Sequence, residues 1–386
     1  MLRCAADTAE HSLLSLPTKL TLALMALALV SGCSRAATES ALPNTPTPTA
    51  LLPQAASGTP APSATPAPSA TAAPSPEPPS HFGTDLLRNN VRAETYLDDA
   101  CQYLAYRWDP ERSLPGTVVA PIMFHSIVPT GDTPSDAAHI DYATFEAIIA
   151  LADNLGFETI TSEELLSFLL ENRAIPPRAM ILILDDRRPG TAEEYFLPIN
   201  EEKGWTTTLA WPIGDTDSRT GLWDWIERVV ASGYFDVQSH GLLHLYLQEG
   251  MPEDEVREEI GGSIPILEEH FGQAPIVYVW PGGNYTGLGI EVARDVGFEL
   301  GFTVRSRGPL AFNWIPQGEE ERAYGDALML LPRFWSSAAL LNLQQTADIG
   351  DAAQAFAQAN YPSEAVWYRA NCGGELPSLE EVFGES

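Results

Sequence analysis

Short apolar runs alternate with amphipathic patterns along this 386-residue chain, and this alternation limits the possible folds more than any other feature. The apolar runs predict strands at residues 118–124, 180–184, 207–211, 235–237, 276–280, 300–304 and 329–331. Amphipathic patterns between them predict helices at residues 145–154, 162–171, 223–232, 253–271 and 288–295. Repeats of this kind form parallel sheets, and seven or eight units favour a closed barrel over an open sheet. We therefore predict an α/β fold, a distorted (β/α)7–8 barrel.

Four of the predicted strands are followed by polar or turn-forming residues. Asp185 and Asp186 come directly after one apolar run, His125 after another, His240 shortly after a third and Pro281 after a fourth. The carboxyl ends of the strands of a parallel barrel meet at one rim, where the active sites of such barrels are found. We therefore expect these five residues to lie on the same rim.

The aspartate pair and a histidine pair supply donor atoms for one metal ion. Adjacent carboxylates at the end of a buried strand repel each other and lose hydration, a cost that a bound cation would offset. His240 and His244 are four residues apart, so a helical segment would place both imidazoles on one face. With Asp186 they form a two-histidine, one-carboxylate set that leaves positions open for water and substrate. Zinc, cobalt, nickel, manganese and iron all suit these ligands, and zinc is expected for hydrolysis.

Each half of this set also has a simpler interpretation. The acids could be solvated in a loop or paired with Arg187 and Arg188, and two histidines four apart could lie on an exposed helix. The chain contains only 7 histidines, however. The joint presence of a spaced histidine pair and an aspartate pair at a strand end therefore favours the metal site.

The N-terminal region predicts export and a lipid anchor. Residues 20–30 form an uninterrupted stretch of apolar and small residues after Lys19, which is short for a membrane span and typical of a signal peptide. The following Val30-Ser31-Gly32-Cys33 resembles the bacterial lipobox, so Cys33 is the predicted site of lipidation. An ordinary signal peptide with cleavage nearby is the alternative.

Residues 34–80 consist mainly of proline, alanine, threonine and serine, a composition that predicts a disordered tether. We expect the folded part to be held to the cell membrane through the lipid anchor alone, on the extracellular or periplasmic side. A solute-binding lipoprotein would have the same arrangement, so the tether predicts a location and no reaction.

Two cysteines remain in the predicted mature chain. Cys4 would be removed with the signal peptide and Cys33 would be acylated, which leaves Cys101 and Cys372. Exported proteins enter an oxidising compartment, where an even number of thiols permits a disulfide. We predict that Cys101 and Cys372 form a disulfide that ties the two flanks of the domain together.

The charge balance excludes one class of partner. The chain carries 52 acidic and 21 basic residues, a formal net charge of -31. Such a surface repels nucleic acid and anionic lipid headgroups and tolerates neutral or cationic substrates. The acidity could equally serve only to keep the surface soluble.

Residues from about 117 to 335 resemble the polysaccharide deacetylase family, the NodB homology domain of carbohydrate esterase family 4. The run Leu184-Asp185-Asp186 is similar to the family's Thr-Phe-Asp-Asp-Gly segment. Residues 239–244 (SHGLLH) are similar to its histidine-bearing segment, and residues 280–285 (WPGGNY) are loosely similar to its Arg/Tyr-Pro-Tyr-Gly segment. The resemblance implies a family-type barrel over residues 117–345, between an N-terminal flanking segment (81–116) and a C-terminal helical tail (346–386).

The resemblance also implies roles for individual residues. Asp185 takes the place of the catalytic base, and Asp186 takes that of a metal ligand beside His240 and His244. We expect the third segment to line the substrate groove.

Its residues Trp280 and Pro281 would face the substrate, and the backbone N–H of Gly282 would stabilise the oxyanion. His125 is the predicted general acid, although Asp185 could return the proton that it takes.

Four residues depart from the family pattern, and they leave alternatives open. Arg187 stands where the family has a glycine, Gly282 replaces an aromatic residue, and Val279 stands where many members have the arginine that orients the base. Arg333 stands where the late Leu-x-His segment has its histidine.

We predict a metal-dependent hydrolase that removes N-acetyl groups from amino sugars of an extracellular or cell-wall polysaccharide. The departures favour the main alternative, a catalytically inactive lipoprotein that binds glycan through the same groove. A further alternative keeps the metal site but acts as an O-acetyl esterase or a small-molecule amidase.

Overall fold

The structure is a computed structural model that describes residues 78–384. The strands of the described residues are β1 (Arg92–Glu94), β2 (Val118–Phe124), β3 (Ile127–Val128), β4 (Ile140–Asp141), β5 (Glu158–Thr159), β6 (Arg178–Asp185), β7 (Thr207–Trp211), β8 (Phe235–Ser239), β9 (Val277–Val279), β10 (Leu300–Phe302), β11 (Ile315–Gln317) and β12 (Phe334–Trp335). The centre of the structure is a parallel sheet in the strand order β10-β9-β8-β7-β6-β2-β12, with β5 pairing with β6 beside this path.

One short segment closes the sheet into a ring. The Leu331 N–H donates to the carbonyl of Gly301 at 2.8 Å, and the Thr303 N–H donates to the carbonyl of Leu331 at 2.9 Å, which joins the segment to β10. A few residues later β12 pairs in parallel with β2, at the far edge of the sheet. The predicted distorted (β/α) barrel is confirmed.

Helices cover the outside of the barrel and its ends. A π-helical turn at Ala192–Phe196 joins two of them. The helices of the described residues are α1 (Ala100–Arg107), α2 (Tyr142–Asn154), α3 (Ser162–Glu171), α4 (Pro189–Thr191), α5 (Leu197–Lys203), α6 (Leu222–Val230), α7 (Glu253–Gly261), α8 (Ser263–Phe271), α9 (Gly287–Asp295), α10 (Glu319–Arg322), α11 (Ala339–Asn371) and α12 (Leu379–Phe383).

The alternation of side chains along β6 directs the first aspartate of the pair inward. Leu182 and Leu184 pack in the core cluster that includes the outer helices α2 and α6. Ile181 and Ile183 pack in a second cluster with the inward-facing residues of β9 and β10. Because successive residues of a strand point to opposite faces, Asp185 continues the inward-facing set at the carboxyl end of the strand.

Two sequence predictions differ from the observed elements. Residues 329–331 were predicted as a strand, but Leu328–Leu330 form a 3-10 turn and the strand begins at Phe334, because Pro332 has no N–H to donate to a sheet. Residues 253–271 were predicted as one helix, but the helix divides at Gly262. Pro265 follows in the first turn of α8, where a missing N–H is tolerated.

Both flanking segments pack together at a site that we call the terminal clasp, formed by α1, the C-terminal part of α11, and α12. Leu104 and Trp108 pack there against Ala357 and Val382. A disulfide joins Cys101 to Cys372, with 5.6 Å between the two Cα atoms. The predicted domain boundary at 345/346 falls inside α11, which is one continuous helix.

The predicted signal peptide, Cys33 and nearly all of the predicted tether lie outside the described residues. Of the helices that the structure describes, none combines the length and the apolar character needed to cross a bilayer.

Candidate metal centre and active site

Two turns with unusual backbone conformations carry the predicted metal ligands. β6 ends at Asp185, and the next residue, Asp186, is left-handed with φ 71°. β8 ends just before His240, and His244 in the loop beyond it is also left-handed, with φ 61°. Non-glycine residues rarely adopt this conformation, and where they do, the surrounding structure has to hold them there.

The three side chains converge on one point at the rim of the barrel. His240 Nε2 lies 3.1 Å from His244 Nε2. His244 Nε2 lies 3.6 Å from Asp186 Oδ1. One donor atom from each of the three residues falls within 4.8 Å of the other two, a spacing that allows one ion to be shared.

The chemistry of His240 fits a metal ligand. Its Nδ1 donates a hydrogen bond to the backbone carbonyl of Val279, with 2.7 Å between the two atoms, and this fixes the tautomer that leaves a lone pair on Nε2. Burial lowers the pKa of His240 to about 4, so the imidazole is neutral at physiological pH. A buried neutral imidazole with its outer nitrogen anchored to the backbone is the usual state of a histidine ligand.

The loop between the two histidines is irregular, so the helical segment expected from their spacing is absent. Glu259 of α7 holds the loop instead. Its carboxylate accepts the N–H of Leu243 at 2.8 Å and that of Leu245 at 2.9 Å, one on each side of His244. Burial raises the pKa of Glu259, and the backbone N–H groups act against this rise.

Gly241 is required by the same contact. It has φ 88°, and a Cβ atom at this position would overlap the carboxylate of Glu259. The glycine between the histidines therefore leaves room for the side chain that shapes the loop.

Asp185 lies beside the metal ligands but is held by another partner. Arg333, which is fully buried, donates from Nη1 to Asp185 Oδ1 at 2.6 Å. The other oxygen, Oδ2, lies 3.9 Å from His240 Nε2 and 3.8 Å from His125 Nε2. Burial alone would raise the pKa of Asp185, but the Arg333 guanidinium and the nearby histidines hold it below its usual value. The structure thus presents an ionised, oriented carboxylate next to a three-ligand cluster.

Comparison with known proteins agrees with this arrangement. The family model described as polysaccharide deacetylase matches residues 173–301, which include Asp185, Asp186 and both ligand histidines. YxkH of Bacillus subtilis (strain 168), a protein assigned to the polysaccharide deacetylases, is 20% identical over 182 residues. Residues 173–301 are therefore similar to the polysaccharide deacetylase family, as a divergent match. The alignment with YxkH covers 47% of this chain and 63% of the relative.

Solved structures with detectable similarity include two further proteins. A deacetylase of Streptococcus pyogenes, PplD in complex with acetate, has 19% identity and a TM-score of 0.49, and the match covers 60% of this chain and 98% of that one. IcaB from Ammonifex degensii has 21% identity and a TM-score of 0.47, with 63% and 99% covered.

Arg333 accounts for one departure from the family pattern. In the sequence, Arg333 marks only the loss of a histidine, and Val279 marks the loss of the arginine that orients the base. In the structure, Arg333 reaches Asp185 from the segment that closes the barrel. The guanidinium is therefore present beside the base, although it comes from a different place in the chain.

Arg187 and Arg188, which follow the aspartate pair, have separate partners. Arg187 donates to the carbonyl of Pro212 at 3.1 Å and pairs with Asp215 in the neighbouring loop. Arg188 pairs with Asp186 Oδ2 at 3.0 Å, which leaves Oδ1 directed toward His244. Pairing with a following arginine, the simpler interpretation of the two aspartates, therefore applies only to Oδ2 of Asp186.

The third segment differs from its predicted role in one respect. Trp280 is fully buried and donates from its indole nitrogen to the carbonyl of Met329, so it has no face available for a sugar ring. The expectation that it faces the substrate is wrong, because its indole fills the core between β9 and the 3-10 turn. Pro281 is also buried.

Gly282 lies at the surface beside an aromatic residue that no sequence motif marks. It has φ 60°, and a Cβ atom there would lie 3.0 Å from the ring of Tyr246. Tyr246 is 52% exposed and stands two residues after His244. The role of the Gly282 N–H at an oxyanion stays a prediction.

His125 lies on the same rim, at the carboxyl end of β2. Its ring stacks with that of Trp335, with 6.4 Å between centroids and 9° between planes. Burial lowers the pKa of His125, with Asp185 and Asp186 acting against this shift. The resting imidazole is therefore neutral at physiological pH, a state that accepts a proton more readily than it donates one.

Proposed function

We propose that this protein is a metal-dependent hydrolase that removes N-acetyl groups from amino sugars of an extracellular or cell-wall polysaccharide. One observation carries the proposal: the cluster of Asp186, His240 and His244 lies directly beside Asp185, a buried carboxylate that Arg333 keeps ionised and oriented. A carboxylate base next to an open three-ligand metal site is the equipment for hydrolysis of an acyl bond.

Each residue has a defined task in this reaction. When bound, a divalent ion would polarise the acyl carbonyl and water. Asp185 Oδ2 accepts a proton from the water as the oxygen attacks the acetamido carbon. The C–N bond then breaks, and the amine leaves with a proton. Because His125 is neutral at rest, we assign the return of this proton to Asp185.

Zinc is the metal that we propose, since a histidine-rich set of three with open positions is typical of catalytic zinc. The test is the metal content of the purified full chain, measured beside that of His240→Ala. We expect about one ion per chain in the wild type, a ratio that follows from the one ligand cluster found among residues 78–384, and its loss in the variant. His270→Ala, at a partly buried histidine of α8 that pairs with Glu227, serves as the control. Equal metal content in all three proteins would refute the site.

The substrate is tested by acetate release from oligomers of N-acetylglucosamine, acetylated xylan and peptidoglycan, with and without a chelator. We expect release from the N-acetylated polymers only, and its loss with the chelator. Release from xylan alone would indicate an O-acetyl esterase. Binding of the oligomers without release would indicate an inactive glycan-binding member of the family.

We also propose that the protein is exported and lipid-anchored through Cys33, on the basis of the lipobox-like residues 30–33 and the tether that follows. Labelling of cells with a radioactive fatty acid should mark the wild type and spare Cys33→Ser. Equal labelling of the two proteins would overturn this assignment.

A further inference from the structure

A groove of about 520 Å³, lined in part by Trp335, opens on the same rim next to the candidate active site. We propose that this side groove binds the sugar residues that adjoin the reacting N-acetyl group, so that the substrate is a polymer with neutral, hydroxyl-rich neighbours. The inference rests on the proposed function and names the class of substrate for it.

The inner wall of the side groove touches the candidate active site. Trp335 lines the groove, and its ring stacks on His125, which faces Asp185. Val304 lines it as well and packs so closely on Gly283 that a Cβ atom there would collide with it. A polymer that places one acetamido group at Asp185 would therefore extend its next residues into this groove.

The outer wall is built from the N-terminal flank and is held in place. Residues 88–91 line the groove and lead into β1, which pairs antiparallel with β11. Leu87 packs on Gly308, where a Cβ atom would again collide. Across the groove, Glu321 is buried and pairs with Arg307 at 2.8 Å. The groove is therefore formed before any ligand arrives.

The groove lining suits a neutral sugar. Trp335 offers an indole to the apolar face of a ring, and Asn89 and Asn90 offer amides that both donate and accept hydrogen bonds. Three arginines on the lining are balanced by three glutamates, and Arg305 pairs with Glu320 at 3.0 Å. The absence of excess positive charge on this lining disfavours a strongly anionic polymer.

The groove lies outside the matched family segment. All of its lining residues fall before residue 173 or after residue 301. Its outer wall, residues 88–91, also precedes the family-like range of residues 117–335, so this wall is suited to setting preference among substrates.

The test compares chain lengths. We would measure acetate release from the dimer and the hexamer of N-acetylglucosamine with the full-length wild type and the double variant Arg88→Ala/Asn89→Ala. Trp335 is left intact because it contacts His125. Arg228→Ala, an exposed arginine of α6, is the matched control. We expect kcat/KM for the hexamer to fall about tenfold in the double variant, mainly through KM, a change that corresponds to about 1.4 kcal/mol. The dimer and the control should change less than about twofold.

A second measurement separates this inference from the proposed function. The affinity of the hexamer is measured on Asp185→Asn with and without the double change, so that no turnover is needed. A Kd that rises about tenfold with the double change supports the groove even if no acetate is ever released. Equal losses for dimer and hexamer, or an unchanged hexamer affinity, would overturn the groove while leaving the hydrolase proposal standing.

Discussion

The terminal clasp and the rim of the barrel at the candidate metal centre both bury charged side chains. The two regions differ in how completely those side chains are hydrogen-bonded. In the clasp, Glu364 accepts Arg107 Nη1 at 3.0 Å and the Trp108 indole N–H at 2.7 Å, so both of its oxygens are used. At the rim, Arg333 donates a hydrogen bond from Nη1 to Asp185, while its Nη2 has no hydrogen-bond partner among the described residues. His125 Nδ1 is also buried without a hydrogen-bond partner among the described residues.

The difference distinguishes a structural ion pair from a reactive one. Burying charge is costly, so a pair that serves only the fold is expected to have every donor and acceptor used. A site that binds a metal and a substrate has to keep some donor and acceptor atoms free for them. Removing a charge from the clasp should therefore affect stability, and removing one from the rim should affect chemistry.

The largest expected effect is at Asp185. Asp185→Asn keeps the shape and the hydrogen bond to Arg333 but cannot accept a proton, so we expect kcat to fall by about 10³ to 10⁴. Metal content should stay at the wild-type level. The matched variant Asp186→Asn should lose the metal instead. Acetate release and metal analysis on both proteins check this, and a turnover near wild type in Asp185→Asn would contradict the assignment of the base.

Glu364→Ala should have the next largest effect, on stability alone. It leaves Arg107 buried without a counter-ion, which typically costs about 3–5 kcal/mol. Urea unfolding measures the loss, and metal affinity of the folded variant should be unchanged. Asp348→Ala, at an exposed acid of the same helix, is the control. A loss below about 1 kcal/mol would show that the clasp tolerates an unpaired charge.

The disulfide of the clasp should contribute somewhat less. Replacing Cys101 and Cys372 by alanine opens a cross-link between residues 271 apart in sequence, and we expect a loss of about 2–4 kcal/mol. Acetate release at 25 °C should not change, because the clasp shares no residue with the rim. A parallel loss of metal would show that the two regions are coupled.

Much of the barrel could be predicted from the sequence. Residues 118–124 and 207–211 are strands over the predicted ranges, because each is an uninterrupted buried run of apolar and β-branched residues. Three ligands and the base were also assigned from local sequence. Each of these residues lies at the end of a strand or in the loop that follows it, where the topology of the barrel determines the position of the side chain.

The supporting residues could not be assigned in this way. Arg333 meets Asp185 across 148 residues of sequence, and no local pattern marks that contact. Glu259 lies in an acidic helix whose other carboxylates are all exposed. One signal could have revealed it: Val256, Glu259 and Ile260 follow helical spacing and form the buried face of α7, so a carboxylate there requires buried partners.

The smallest effect that we predict tests this support of the metal loop. Glu259→Gln replaces one acceptor oxygen by an NH₂ group, which cannot accept the N–H of Leu243 or Leu245. We expect metal affinity to fall by about 10- to 100-fold, or about 1.4–2.7 kcal/mol, the usual range for residues that orient ligands. Glu258→Gln, at the exposed neighbour, should have no effect.

Gly241→Ala provides the second half of the test. Its Cβ would displace the same carboxylate, so the two changes act on one contact and should not be additive. In the Glu259→Gln background, Gly241→Ala should therefore weaken metal binding less than it does in the wild type. Strict additivity would mean that the left-handed backbone at Gly241, and not its approach to Glu259, is what the loop requires.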